Sequence, residues 1–168
     1  MNRKLVLTLS LFVLTAALLL SLPAAADSIN ITLASPFQVG AFGSTVSFTA
    51  TVSAPSTNAA AVFLNSDSYS VDAPLSVDDT GFLVNFPLIM NPGDTVTGVL
   101  FTVWVPPAIP IGSYYGYFQI LGVSDGSELN AISNVAQFEI YAVPEPGSLL
   151  LLGTGGLALM GALRRKLL

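Results

Sequence analysis

Between residues 45 and 52 the chain alternates without a break. Val46, Phe48, Ala50 and Val52 are apolar, and Thr45, Ser47, Thr49 and Thr51 separate them. Successive side chains on a strand point to opposite faces, so this pattern predicts a strand with one face on a core. Ile29 to Leu33 predicts a short first strand, Ala60 to Asn65 another, and Ser66 to Val71 a segment pairing near it. Gly81 to Phe86 reads as a further strand. The longest runs from Thr95 to Val105, with Val99, Phe101, Val103 and Val105 on one face and Leu100, Thr102 and Trp104 on the other. Both faces are rather apolar, which places it centrally in its sheet. Tyr114 to Leu121 and Val135 to Tyr141 complete the set, the last with Phe138 and Ile140 inward.

Turn residues separate these stretches. Pro36, the Gly40–Gly43 segment, Pro55-Ser56-Thr57-Asn58, Pro74, Asp78-Asp79-Thr80-Gly81, Pro106-Pro107, Pro110 and Asp125-Gly126-Ser127 all interrupt apolar runs. In Asn91-Pro92-Gly93-Asp94 the proline presets φ at the first central position of a turn, and the glycine supplies positive φ at the second. No helical repeat is sustained between residues 27 and 142. Seven or eight short strands divided by Pro and Gly predict an all-β domain, an immunoglobulin-like β-sandwich. The segment from Asn91-Pro92-Gly93-Asp94 to Pro110-Ile111-Gly112-Ser113-Tyr114-Tyr115-Gly116 resembles the late strands of bacterial immunoglobulin-like sandwiches. That resemblance would put Tyr114 or Tyr115 at a tyrosine corner. It is a resemblance to an architecture, since the cysteine pair and core tryptophan of antibody domains are absent.

The two ends follow other patterns. Arg3 and Lys4, an apolar run from Leu5 to Leu20, Pro23 and the small residues Ala24-Ala25-Ala26 make residues 1–26 a secretory signal peptide. Cleavage after Ala26, with Ala24 and Ala26 as the small-residue site, would start the mature chain at Asp27. An uncleaved N-terminal anchor is the other reading. Near the other end, Pro144 and Pro146 hold the chain extended. Ser148 to Leu163 carries no charge, and Arg164, Arg165 and Lys166 follow. A helix of those sixteen residues would be roughly 24 Å long at ~1.5 Å per residue. That is a little short of a ~30 Å hydrocarbon core, and the basic side chains can make up part of the difference by snorkelling.

Pro144-Glu145-Pro146, the apolar stretch Leu149 to Leu163 and the basic cluster Arg164-Arg165-Lys166 resemble the sorting tail of PEP-CTERM proteins of Gram-negative bacteria. The alternative is an ordinary C-terminal anchor that follows two prolines. The resemblance covers residues 143–168 and implies a transmembrane helix and recognition by an exosortase, a membrane protease-transferase. It implies export by way of signal peptidase, transient residence in the inner membrane, and delivery to the cell surface or extracellular matrix. In that family the matrix is exopolysaccharide. A structural or adhesive role in biofilm is therefore the first expectation, and a carbohydrate- or calcium-binding module the alternative.

Charge narrows the chemistry. All five basic residues lie in the terminal segments, whereas nine of the ten acids lie between residues 27 and 142, so the body carries a formal charge of −9. Without cations it has nothing to neutralise phosphates, which argues against nucleic acid and against anionic lipid. There is no His and no Cys, so nucleophilic triads of the Ser-His or Cys-His kind are excluded. The expectation is a protein without enzyme activity and without a cofactor. Calcium takes oxygen ligands, and Asp67, Asp72, Asp78, Asp79 and Asp125 are the candidates, although no loop has EF-hand spacing. Asp78 and Asp79 also suit an ordinary turn. Trp104, Tyr114, Tyr115 and Tyr117 could form a surface for sugar stacking or could be strand packing. Exposed tyrosines with acids beside them would favour binding.

Overall fold

A computed structural model describes residues 27–123, 129–145, 147, 153–157 and 160. Among these residues ten strands, against the seven or eight expected, form two sheets: β1 (Asn30–Leu33), β2 (Phe37–Ala41), β3 (Thr45–Ser53), β4 (Val62–Val71), β5 (Ser76–Asp78), β6 (Ile89–Met90), β7 (Thr95–Trp104), β8 (Gly112–Val123), β9 (Asn130–Ala131) and β10 (Ala136–Val143). One sheet has the order β1-β3-β7-β5. The other has the order β2-β10-β8-β4-β6, with β9 paired to β8. The short helix α1 (Thr80–Asn85) lies between β5 and β6 and carries the chain from the first sheet to the second.

The sheets meet through aromatic rings. Phe48 on β3 and Phe101 on β7 face Phe118 on β8 and Phe138 on β10, with ring centroids of 4.8 Å for Phe48–Phe101, 5.0 Å for Phe101–Phe118 and 4.9 Å for Phe101–Phe138. Such pairs add ~0.5–1.5 kcal/mol each beyond the area they bury. Val52, Leu100, Val103, Ile120 and Ile140 fill the rest of the layer and are fully buried. The β3 alternation is observed as expected, with Val46, Phe48, Ala50 and Val52 buried. So is the inward placement of Phe138 and Ile140. As expected, β7 is flanked on both sides, by β3 and β5.

Four further expectations change. Pro36 and the Gly40–Gly43 segment read as punctuation, but Phe37–Ala41 is the strand β2, paired in parallel with β10. The two candidates Ala60–Asn65 and Ser66–Val71 are one strand with an irregularity between Leu64 and Ser66. Val99 does not share a face with Phe101, because the β3–β7 register shifts opposite Leu100, so that Phe48 pairs with Phe101 and Thr49 with Val99. Leu100 and Phe101 are consequently both buried.

The fourth is Gly81 to Phe86: residues 81–85 are helix and not strand, and Phe86 is the extended residue that ends it. The rings of Phe82 and Phe86 lie 6.4 Å apart. Both are buried, while Leu83 and Val84 are exposed. Phe82 reaches across to Phe118, with centroids 6.1 Å apart. Gly81 allows the helix to ride on β7, since a Cβ there would lie 2.7 Å from the Val99 carbonyl oxygen.

The expected signal peptide, with its site at Ala24 and Ala26, lies outside the described residues. Of the expected 149–163 span, residues 153–157 and 160 are described and helical. Among the described residues no helix is long and apolar enough to cross a membrane.

Candidate functional site

Most of the chemistry-bearing residues fall into three places: the junction with the tail, the inner face near α1, and the outer face of the six-stranded sheet.

At the junction, β10 is held on both sides. It pairs antiparallel with β8 from Ala136 to Ala142 and parallel with β2 from Glu139 to Val143. The N–H of Phe42 donates to the Val143 carbonyl over 2.9 Å. Pro144 follows directly, so no linker separates the last strand from the proline motif. Pro146 and the basic residues Arg164, Arg165 and Lys166 lie outside the described residues.

The acidic candidates are dispersed. The carboxylate of Asp78 accepts from the hydroxyl of Thr80 and, at 3.0 Å, from its N–H. Those two bonds hold the carboxyl below its ordinary range. Asp72 Oδ2 accepts the Tyr115 N–H at 2.8 Å. Asp125 lies outside the described residues. Among the described residues only Asp67 and Asp79 come together. Asp67 pairs in register with the buried Ile120 and so shares the inner face of β4. Burial, then the charge of Asp79 and a hydrogen bond shared with it, push the Asp67 carboxyl up to about 6, against an opposing backbone hydrogen bond. Its Oδ2 is buried without a hydrogen-bond partner. Among the described residues no three acidic side chains form a group that could hold a metal ion.

The aromatic candidates divide cleanly. Trp104 projects from the outer face of the four-stranded sheet, beside its register partners Thr45 and Ser76. Tyr114 turns toward the core, and its hydroxyl donates to the Pro110 carbonyl at 2.9 Å. That bond four residues back is the one a tyrosine corner makes. Tyr115 and Tyr117 point outward from β8 and are 58 % and 37 % exposed.

Around Tyr115 lie two shallow clefts. One, of about 430 Å³, is lined by Ser70, Asp72, Tyr115, Tyr117, Val135 and Gln137 among others. The second, of about 290 Å³, is lined by Pro36, Phe37, Tyr115, Gln137, Phe138 and Glu139. The first lies toward the low end of ligand pockets, ~300–1,000 Å³, and the second just below it. Glu139 Oε1 accepts from the Ser113 hydroxyl at 2.6 Å. Phe37, Gln137 and Glu139 were not singled out as binding candidates from sequence. The available signal was the alternation in Gln137, Glu139 and Tyr141, which puts all three on the face opposite Phe138 and Ile140.

Comparison with known proteins bears mainly on the tail. Residues 142–166 match the PEP-CTERM protein-sorting motif. The chain therefore carries the signal that marks exported, exosortase-processed proteins. No curated protein sequence matches the chain. Solved structures align with the chain at low similarity. A family 123 glycoside hydrolase from Clostridium perfringens aligns at TM-score 0.42 and 10 % identity, over 71 % of this chain and 28 % of that one. The periplasmic chaperone SfaE aligns at TM-score 0.36 and 10 % identity, over 69 % and 58 %. The CARDB domain of the PF1109 protein from Pyrococcus furiosus, solved with di-metal ions, aligns at TM-score 0.33 and 15 % identity, over 71 % and 94 %. The chain thus spans under a third of the hydrolase and under two thirds of the chaperone.

Proposed function

We propose that this protein is a non-enzymatic β-sandwich of immunoglobulin-like type, sorted by an exosortase to the cell surface or extracellular matrix, where it serves a structural or adhesive role in exopolysaccharide. The observation that carries the reading is the sorting motif at residues 142–166, abutting the last strand of a folded two-sheet domain. Cleavage after Val143 would leave every β10 pairing intact. Signal peptidase would remove residues 1–26, and residues 149–163 would hold the intermediate in the inner membrane until the exosortase acts. The tyrosine corner at Tyr114 and Pro110 supports the immunoglobulin-like assignment. Processing at both ends would discard every Lys and Arg of the chain and leave an acidic, soluble body.

Intact mass spectrometry tests this on protein recovered from its own host, with and without the exosortase gene. The expected mature species begins near Asp27 and ends near Pro144 to Pro146, and appears only with the exosortase. A mass retaining Leu149 to Leu168 in both strains would replace the sorting reading with a permanent membrane anchor.

A further inference from the structure

The geometry points to a glycan-binding face on the outer surface of the six-stranded sheet, centred on Tyr115, that takes a neutral, hydroxyl-rich polysaccharide chain. This deepens the matrix reading above by naming the surface and the class of ligand.

The two clefts repeat one chemistry on either side of a shared ring. The first sets Tyr115 and Tyr117 against the carboxylate of Asp72 and the amide of Gln137. The second sets Tyr115 and Phe37 against the carboxylate of Glu139 and the same amide. Each offers an aromatic surface for the C–H face of a sugar, a carboxylate to accept from its hydroxyls, and an amide that can donate or accept. Two adjacent subsites of like composition suit a ligand that itself repeats. The groups are held in place before any ligand arrives. The Tyr115 N–H fixes one oxygen of Asp72 and the Ser113 hydroxyl fixes one oxygen of Glu139, which leaves the other oxygen of each for a ligand. The Gln137 amide makes no hydrogen bond among the described residues.

Charge selects among polymers. The face holds two carboxylates, and the body around it has a formal charge of −9 with no cation. An anionic polysaccharide would meet repulsion with no compensating ion pair. A neutral one supplies hydroxyl donors and carries no charge to oppose. Tyr115 is the ring both subsites share, so truncating it should affect both.

Affinity electrophoresis of the full mature protein tests the assignment, in gels containing dextran, hydroxyethylcellulose or galactomannan, with alginate as the anionic comparison. At least one neutral polymer should retard the protein, and alginate should not. Tyr115→Ala and Gln137→Ala should each weaken retardation about tenfold, the scale of a residue central to an interface. Trp104→Ala, on the opposite sheet, should leave it unchanged. Melting temperatures of all three variants are read alongside, and Tyr117→Ala replaces Tyr115→Ala or Gln137→Ala if either melts well below wild type. Retardation by none of the neutral polymers overturns the proposal. So does equal retardation by alginate, or retardation that survives Tyr115→Ala. Sedimentation of the wild type as a dimer and of Tyr115→Ala as a monomer would assign the face to a second copy of the chain instead. These outcomes are independent of the mass measurement, so failure of the face and failure of the sorting reading are separable.

Discussion

Asp67 shows how a single residue escapes a sequence reading. In the run from Val62 to Val71 strict alternation would put Asp67 on the side opposite Val62 and Leu64. The irregularity between Leu64 and Ser66 inverts the remainder of the strand, so that Asp67 and Tyr69 turn inward opposite Ile120 and Phe118. The carboxyl then faces Asp79, and with no Lys or Arg in the body no cation comes to balance the pair. A carboxyl with a folded pKa of about 6 against an unfolded value near 3.8 binds more protons folded than unfolded between those limits. Stability therefore falls as pH rises from about 4 to about 6 and is level above. The side chain is half-buried, so solvent screening reduces the effect to about 1 kcal/mol. Asp67→Asn should raise the melting temperature at pH 7 by about 4 °C and remove this slope, as scanning calorimetry across pH would show. A steeper slope in the variant would place the titrating group elsewhere. Tyr114→Phe removes the corner hydrogen bond to Pro110 and should cost about 1 kcal/mol in denaturant unfolding, with little change in the slope of the transition. An unchanged midpoint would deprive the corner of a stabilising role.

Among the elements, those with an uninterrupted period were legible. β3 was evident from alternation, β10 from its inward Phe138 and Ile140, and the Asn91 to Asp94 turn from proline and glycine chemistry. The structure gives that turn Gly93 at φ 91°, with the Asp94 N–H donating to the Asn91 carbonyl at 3.0 Å. What failed depends on contacts distant in sequence. A helix as short as α1 has little stability of its own. It forms because Phe82 and Phe86 find a gap at the side of the sandwich and Gly81 lets the backbone settle on β7. Phe82→Ala should therefore destabilise the domain by roughly 3 kcal/mol. It should also bring amides of α1 into fast hydrogen exchange ahead of those of β7; simultaneous exchange would mean that the helix is integral to the core. β2 was missed because Gly40 reads as a loop residue. In the structure it is a strand residue packed so tightly that a Cβ would come 2.9 Å from Val105 Cγ2. Gly116 plays a comparable part, with the Phe138 ring lying where its Cβ would be and the Ser70 carbonyl oxygen 2.6 Å from the same point. Gly116→Ala should cost roughly 1–3 kcal/mol through overpacking, and a neutral result would mean that the ring moves aside freely.

The whole molecule is governed by its charge distribution. Within residues 27–142 every side-chain charge is negative, so all long-range interactions among side-chain charges in the body are repulsive. Raising sodium chloride from ~10 mM to ~0.5 M shortens the Debye length from about 30 Å to a few ångströms. The melting temperature should rise with it, without the counter-effect of screened ion pairs. A fall on adding salt would contradict that account. The sorting tail was plain from sequence because proline motif, apolar stretch and basic cluster follow in order, and residues 142–166 match the sorting motif. The outer face of the six-stranded sheet was less plain. Its parts come from β2, β4, β8 and β10, and only the fold brings Phe37 beside Glu139 and Ser70 beside Tyr117.

The position of β10 has a mechanical consequence. A strand loaded from its C-terminal end is drawn along its own axis. With neighbours on both sides, seven paired positions on β8 and five on β2 resist that pull together. This is loading in shear, where many bonds must yield at once, and not peeling, where they open one after another. If the new terminus near Pro144 is the point of attachment and the Tyr115 face grips a polymer, tension would enter the domain through β10 and leave it through β8, its immediate neighbour. The four-stranded sheet would then lie outside the line of force.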